Sequence, residues 1–293
     1  MAKRLNKVVI PVAGMGTRFL PATKVLPKEL LPIVDRPIIQ LIVEECVAAG
    51  FETIVFVTSR PKVTLEDHFD PADLTSWKLA AAGKAHLIES VLELAKKIQI
   101  ISIRQHVPRG LGDAVLKAEP VVGREPFAVV LGDDIIVNKE GPSAIGQCMQ
   151  KFSQNDKASV VGVLEVPKEE TGKYGIVSFA NESTGKVQGF VEKPSPDKAP
   201  SNWALPGRYV FQPEIFDAIR ETAEGHGNEI QLTDAMVRLL KRSEFFAEKI
   251  KGTRFDTGDK IGYIMANVHF ALQDEKYKKN LGDWLRKTVE TLT

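Results

Sequence analysis

Residues 7–32 read KVVIPVAGMGTRFLPATKVLPKELLP. The apolar start, Val8-Val9-Ile10-Pro11-Val12, has the length and β-branched content of a buried strand. It breaks into Ala13-Gly14-Met15-Gly16-Thr17-Arg18, where two glycines let the backbone turn sharply and come close to a ligand. Amide N–H groups exposed on such a bend suit phosphate oxygens. Arg18 and Lys28 add fixed positive charge on either side of a segment stiffened by Pro21, Pro27 and Pro32. The stretch is built to hold a polyphosphate and to keep its shape while doing so. A strand, a glycine turn and a proline-rich connector with no ligand is the plain alternative.

Two familiar glycine motifs do not fit. The dinucleotide fingerprint needs a third glycine where this chain has Phe19, which also weighs against a nicotinamide dehydrogenase. A P-loop needs Gly-Lys-Ser/Thr, and nothing here supplies it. What fits is GxGTR-x-x-P followed by PKELLPI, which resembles the signature of the sugar-1-phosphate nucleotidylyltransferases. The longer GTRFLPATKVLPKELLPIVDRPIIQ is similar to the bacterial UTP–glucose-1-phosphate uridylyltransferases in particular. The resemblance covers nearly the whole chain. It implies transfer of a uridylyl group from UTP to glucose 1-phosphate with Mg²⁺, giving UDP-glucose and pyrophosphate. A relative using dTTP, CTP or GTP, or a non-catalytic sugar-nucleotide sensor, are the rival readings.

The 293 residues suffice for one large α/β domain or two smaller ones. With 39 Lys+Arg against 38 Asp+Glu, the formal charge of +1 argues against a nucleic-acid or anionic-membrane surface. Cys46 and Cys148 make neither a metal spacing nor a disulfide framework, so a reducing cytoplasm is expected. MAKRLNK runs into the first strand without an apolar signal core, and no later segment has the length to span a bilayer.

Along the chain, strands are expected at 53–58, 99–103 and 127–131. Helices are expected at 38–50, from Arg60-Pro61 to about Phe69, over 80–98 and over 114–122. This alternation argues for a mostly parallel, doubly wound sheet. The rhythm changes after Ser159: a strand VVGVLEV, a hairpin of 174–180 with 187–191, an extended piece near Arg208-Tyr209-Val210-Phe211, helices at 213–222 and 232–241, and a strand at 245–250. Two closing helices follow. The expected fold is α/β, a Rossmann-like doubly wound mixed sheet of the nucleotidyltransferase, glycosyltransferase-A-like kind, with a C-terminal helical extension. Residues 1–158 would bind nucleotide, 159–259 sugar phosphate, and 260–293 would add helices, all in one domain. The amphipathic 277–292 segment, with Leu281, Trp284, Leu285 and Val289, suggests a subunit contact in a homodimer or homotetramer.

Joining a nucleoside triphosphate to a sugar phosphate needs no general base, because the attacking phosphate oxygen is ionised near neutrality, with a second pKa of about 6. The task is to screen like charges, align the attack and stabilise departing pyrophosphate. Arg18 suits the β- and γ-phosphates as a fork of donors, and Lys28 the α-phosphate as a point charge. Asp133 and Asp134 follow a buried strand at the end where α/β ligands bind. The resemblance assigns Asp133 to the metal, Asp134 to support of the site, and Asp256 in FDTGD to the second-acid region, with a helix-cap role for Asp256 or Asp259 as the alternative. It assigns Ala13, Gly14, Met15, Gly16 and Thr17 to the nucleotide, and Gln105, Gly110 and Gly112 to the base. Asp113 stands where the family commonly has His; a turn capped by Asp113 before a helix is compatible with that role. By the same resemblance Glu192 would hold sugar hydroxyls, Lys193 the sugar phosphate, and Gly175 would bring backbone near the sugar; read alone, Glu192-Lys193 is a surface ion pair. The segment 229–234 matches the family and also reads as a helix start. The five His residues show no ligand spacing and are read as structural. Trp77 has no functional account.

Overall fold

The computed structural model describes residues 5–59, 62–72 and 74–291. β1 (Lys7–Pro11) is followed by a small hairpin of β2 (Pro32–Ile33) and β3 (Arg36–Pro37). Then come α1 (Ile38–Ala48), β4 (Thr53–Thr58), α2 (Thr64–Asp67), α3 (Leu74–Ala81), α4 (Glu89–Ala95) and β5 (Gln99–Arg104). α5 (Leu111–Lys117) and α6 (Glu119–Val122) lead to β6 (Phe127–Val130), β7 (Asp134–Val137) and α7 (Ala144–Gln154). The later part holds β8 (Ser159–Glu165), the hairpin β9 (Gly175–Asn181) and β10 (Lys186–Glu192), β11 (Trp203–Ala204) and β12 (Arg208–Phe211). It closes with α8 (Glu214–Arg220), α9 (Leu232–Leu240), β13 (Phe245–Lys249), β14 (Thr253–Asp256), α10 (Lys260–Gln273) and α11 (Glu275–Glu290).

Ten strands form one mixed sheet in the order β11-β9-β10-β13-β8-β12-β6-β1-β4-β5. β5, β4, β1 and β6 are parallel. β12 is antiparallel to both β6 and β8 and joins this group to the rest. In β1, Val8 and Ile10 enter a core shared with α1 and α7, while Val9 enters the core on the opposite face with α5, α8 and α9. Both faces of the strand are therefore buried, which explains its unbroken apolar run. Loops at the carboxyl ends of β1 and β6 lie side by side on one edge of the sheet.

The continuous helix expected over 80–98 is not formed. Gly83, at φ 70°, ends α3, and a 3₁₀ turn at Ala85–Ile88 precedes α4. Leu87 is exposed, whereas Leu94 reaches the core. The second expected helix has its start, Arg60-Pro61, outside the described residues; of the remainder only α2 is helical. α5 begins at Leu111 rather than Ala114, because Gly110 takes φ 95° immediately before it. α7 and the two-stranded β7–β14 ladder were not anticipated. Leu292 of the expected terminal segment also lies outside the described residues.

A fully buried Arg208 on β12 ties these layers together. It donates from Nε and Nη2 to the Glu45 carboxylate of α1, at 2.9 and 2.7 Å. Glu45 Oε1 also accepts from the Ile145 N–H at the start of α7. Breaking one side of a buried pair strands the other charge. Arg208→Ala is expected to lower unfolding free energy by roughly 3–5 kcal/mol, and the Arg208→Met, Glu45→Leu double variant by much less, as measured by urea denaturation.

Candidate active site

After β1 the chain bends over the sheet edge. Gly16 adopts φ 64°, and a Cβ there would come 3.2 Å from Lys28 Cβ and 3.4 Å from Thr23 Cβ, so the bend needs glycine. Thr23 Oγ1 donates to the Gly16 carbonyl at 2.7 Å and ties the bend to the proline-stiffened connector. Ala13 is buried, while Gly14, Met15 and Thr17 are exposed beside it.

The connector returns Lys28 to the mouth of the bend, where its Nζ donates to Asp133 Oδ2. Burial works against the Lys28 ammonium, but the Asp133 carboxylate, helped by Glu29, outweighs it and raises its pKa. Burial likewise works against ionised Asp133; Lys28 and then Arg18 outweigh it and hold its pKa below the usual carboxylate range. Next to Lys28, Glu29 is buried and accepts from Lys62 Nζ at 3.0 and 2.8 Å. Lys62 Nζ also donates to the Val12 carbonyl, so this pair pins the connector to the end of β1. Arg18 is exposed and leans on the Gly258 carbonyl, 3.4 Å from Nη1.

Asp134 points away from Asp133, as successive residues entering a strand do. Arg254 of β14 holds it with Nε and Nη2, each at 2.7 Å from a carboxylate oxygen. Burial still dominates and pushes the Asp134 carboxyl up to about 6. Arg254 also donates to Tyr174 Oη at 3.0 Å and lies 3.5 Å from Asp256 Oδ2. The β7–β14 ladder pairs Asp134 with Asp256 and so brings the two acidic segments together. Thr257 locks the junction, donating its N–H and hydroxyl to the Asp133 carbonyl at 2.9 and 2.7 Å. A Cβ on Gly258 would come 2.9 Å from Asp133 Oδ2 and 3.1 Å from Asp256 Oδ1, so both carboxylates face that one backbone position. Asp259, not Asp256, caps α10, accepting from the N–H groups of Ile261 and Gly262.

On the β5 side, Gln105 is buried and Gly110 lines the same cavity. Gly112 lies inside α5, and its N–H donates to the Ile230 carbonyl at 2.9 Å. That N–H is therefore engaged by the 229–230 segment rather than open to a base. A Cβ on Gly112 would come 2.7 Å from the same carbonyl, so close packing accounts for this glycine. Asp113 is likewise within the helix and caps nothing; its carboxylate turns inward to Gln105.

Glu192, at the end of β10, accepts from Thr233 Oγ1 at 2.6 Å and sits 3.3 Å from Lys193 Nζ. Lys193 takes φ 45°, rare for a residue with a side chain, while its N–H donates to the Tyr174 carbonyl at 3.0 Å. A Cβ on Gly175 would meet Leu205, Thr233 and Glu192 at 2.9, 3.2 and 3.3 Å, so glycine keeps this wall open.

Three cavities meet around these groups. One of about 300 Å³ runs from Gln105 and Gly110 past Gly14 to Lys28 and Asp133. A second of about 220 Å³ shares Gly14 and Lys28 and adds Lys24 and Lys62. A third of about 190 Å³ shares Asp133 and includes Arg18, Gly175, Glu192, Thr233 and Asp256. Two anions entering from opposite sides would meet at the Lys28–Asp133 contact. Arg254, Lys62 and Tyr174 are site residues that sequence reasoning missed; Thr233 lies in the 229–234 segment, noted there only as a family match and a helix start.

A family model described as nucleotidyl transferase matches residues 7–273. The UTP–glucose-1-phosphate uridylyltransferase of Bacillus subtilis strain 168 is 47% identical over 282 residues, 95% of each chain. That of Staphylococcus epidermidis RP62A is 44% identical over 287 residues, 97% of this chain and 99% of the relative. Among solved structures, a UDP-glucose pyrophosphorylase complexed with UDP-glucose is 40% identical, with TM-score 0.84 over 92% of this chain and all of that one. The UTP-bound enzyme from Acinetobacter baumannii is 36% identical, with TM-score 0.88 over 96% of this chain and 99% of that one. Matched along nearly its whole length, the chain belongs to the nucleotidyl transferase family, with the mixed α/β fold of its UDP-glucose pyrophosphorylase members.

Proposed function

We propose that this protein transfers a uridylyl group from UTP to α-D-glucose 1-phosphate, releasing pyrophosphate and forming UDP-glucose. The observation that carries the reading is the Lys28–Asp133 contact at the junction of the three cavities. The names of relatives aligned over almost the entire chain support the choice of substrates. The base would lie toward Gln105 and Gly110, the triphosphate along residues 13–17 and Arg18, and the sugar against Gly175 and Glu192. Lys193 would face the sugar phosphate. Lys28 would draw charge from the α-phosphate as the sugar-phosphate oxygen attacks in line. No side chain is required to take a proton, and one phosphoanhydride replaces another.

Asp133 and Asp256 suit a hard divalent cation, since both present carboxylate oxygens toward Gly258. Among the described residues no group of three or more His, Cys, Asp or Glu converges, so phosphate and water would complete the coordination of Mg²⁺. Such an ion would supply charge neutralisation at the reacting phosphates. Two carboxylates around one glycine, with Lys28 bonded to one of them, are what the chain itself contributes.

The finer architecture we infer is a Rossmann-like nucleotide half (1–158), a sugar-phosphate half (159–259) and a helical extension (260–293) in one domain. A cytoplasmic location agrees with two buried free thiols. Among the described residues no helix is long and apolar enough to cross a membrane. Ile264, Met265 and Trp284 stand exposed on α10 and α11 and would serve a homodimer or homotetramer contact; light scattering that returns a strict monomer removes this assignment.

Pyrophosphate release from UTP and glucose 1-phosphate is the direct test. Lys28→Ala should lower kcat by about 10²–10³-fold. Lys193→Ala should instead raise the KM for glucose 1-phosphate by about tenfold. Equal small effects from both would undo the assigned roles. Asp134 adds a pH test. Its folded pKa, about 6, lies above its ordinary 3.8, so between these values the native state keeps a proton that the unfolded chain has lost. This group makes the fold less stable as pH rises across that window. Asp134→Asn should remove that part of the slope in a plot of Tm against pH; an unchanged slope would exclude the shift.

A further inference from the structure

Asp113 is fully buried, yet the proposed chemistry gives it no task. Its Oδ1 lies 3.0 Å from Arg109 Nη2 and 3.4 Å from Lys117 Nζ, four residues to either side. These two partly exposed cations flank the buried carboxylate. Its Oδ2 accepts from Gln105 Nε2 at 2.8 Å, and the same Nε2 donates to the Gly110 carbonyl at 3.2 Å. Both partners of that nitrogen are acceptors only. Turning the amide over would press Oε1 against a carboxylate and a carbonyl, leaving buried acceptors without a proton between them. The Gln105 amide therefore has one orientation, and Oε1 is the polar atom left for a ligand in the cavity it lines.

We propose that Asp113 is a positioning residue that sets nucleotide choice by locking the Gln105 amide as an acceptor toward the base. The inference rests on the reading that UTP is the nucleotide. Uracil has one ring donor, N3–H, which suits a fixed Oε1. Cytosine presents a bare, unprotonated N3 at the same place, so acceptor would face acceptor. A neutral amide at position 113 would act otherwise: with both a donor and an acceptor end, it no longer opposes the turned Gln105 amide, leaving only the Gly110 carbonyl against that orientation.

The test compares kcat/KM for UTP, CTP and N3-methyl-UTP in the wild type and in Asp113→Asn. The wild type should favour UTP over CTP, and over N3-methyl-UTP, by about 100-fold or more. In Asp113→Asn the UTP:CTP ratio should fall at least tenfold, chiefly because the KM for UTP rises and that for CTP falls. A role in folding alone would lower turnover of both nucleotides together and leave their ratio unchanged, which overturns the proposal. Wild-type protein that uses N3-methyl-UTP as well as UTP also overturns it, whether or not the variant folds. A wild type that releases no pyrophosphate from UTP overturns the functional reading and this inference together, whereas failure of the lock alone leaves UTP turnover intact.

Discussion

The contact between Lys28 and Asp133 is the constraint around which the site is arranged. It joins loops that leave adjacent parallel strands, β1 and β6, and each reaches it differently. Asp133 needs only to follow β6 past Gly132. Lys28 must come back after a long excursion, and the Glu29–Lys62 pair is what returns it. Lys62, Glu29, Lys28 and Asp133 then form a chain of alternating charge running inward to outward. Burial pushes the Glu29 carboxyl up, with Lys62 opposing it, and pushes the Lys62 ammonium down, with Glu29 opposing it. Such a pair adds little net stability because desolvation offsets the attraction. Its effect is geometric: neither partner tolerates separation, so the backbone that carries Lys28 stays fixed against Val12.

A second arrangement holds the acidic side. An isolated two-stranded ladder is marginal in water, and β7–β14 belongs to no larger sheet. Arginines secure it from both sides. Arg254 grips the Asp134 carboxylate, and Arg208 donates to the Asp134 backbone carbonyl while bound to Glu45. One residue is thus held through its side chain by β14 and through its main chain by β12. Asp133, immediately before it, inherits that fixed position. Through Tyr174, Arg254 also touches the segment that leads into β9, so the Gly175 wall and the acid side share one guanidinium.

This division explains what the sequence made legible. Glycines in a bend, prolines in a connector and acids after an apolar run are local signals, and Gly16, Lys28 and Asp133 were readable from them. Most strands of the main sheet were readable because burial on one or both faces leaves apolar runs; the two-residue β11 was not. β7 and β14 were not, since four residues carry too little pattern and their pairing joins distant segments. Arg254, Lys62 and Thr233 act through partners far along the chain, which no motif spacing encodes. Asp113 illustrates the same limit: next to two glycines it reads as a turn cap, and only tertiary contact turns its carboxylate to Gln105. Trp77 remains unexplained, exposed on α3.

Gly258 shows how much of the chemistry depends on an atom that is absent. Its position is contested by two carboxylates, from Asp133 and Asp256, and a methyl group there would sit at 2.9 and 3.1 Å from their oxygens. Contacts that short force at least one acid to move. Asp133 cannot yield without leaving Lys28, and Asp256 accepts the Gly258 N–H at 3.1 Å and borders Arg254. The glycine therefore keeps open a small space between like charges that would otherwise be filled by carbon. Two carboxylates facing a gap repel one another, and that repulsion is relieved by the positive charge of Lys28 and Arg18; a divalent cation, in the proposed reaction, would add to it. The same short segment, 256–259, supplies an acid, the Thr257 lock on Asp133, the open space and the cap of α10. The start of α10 is in this way anchored directly to the acid wall of the site.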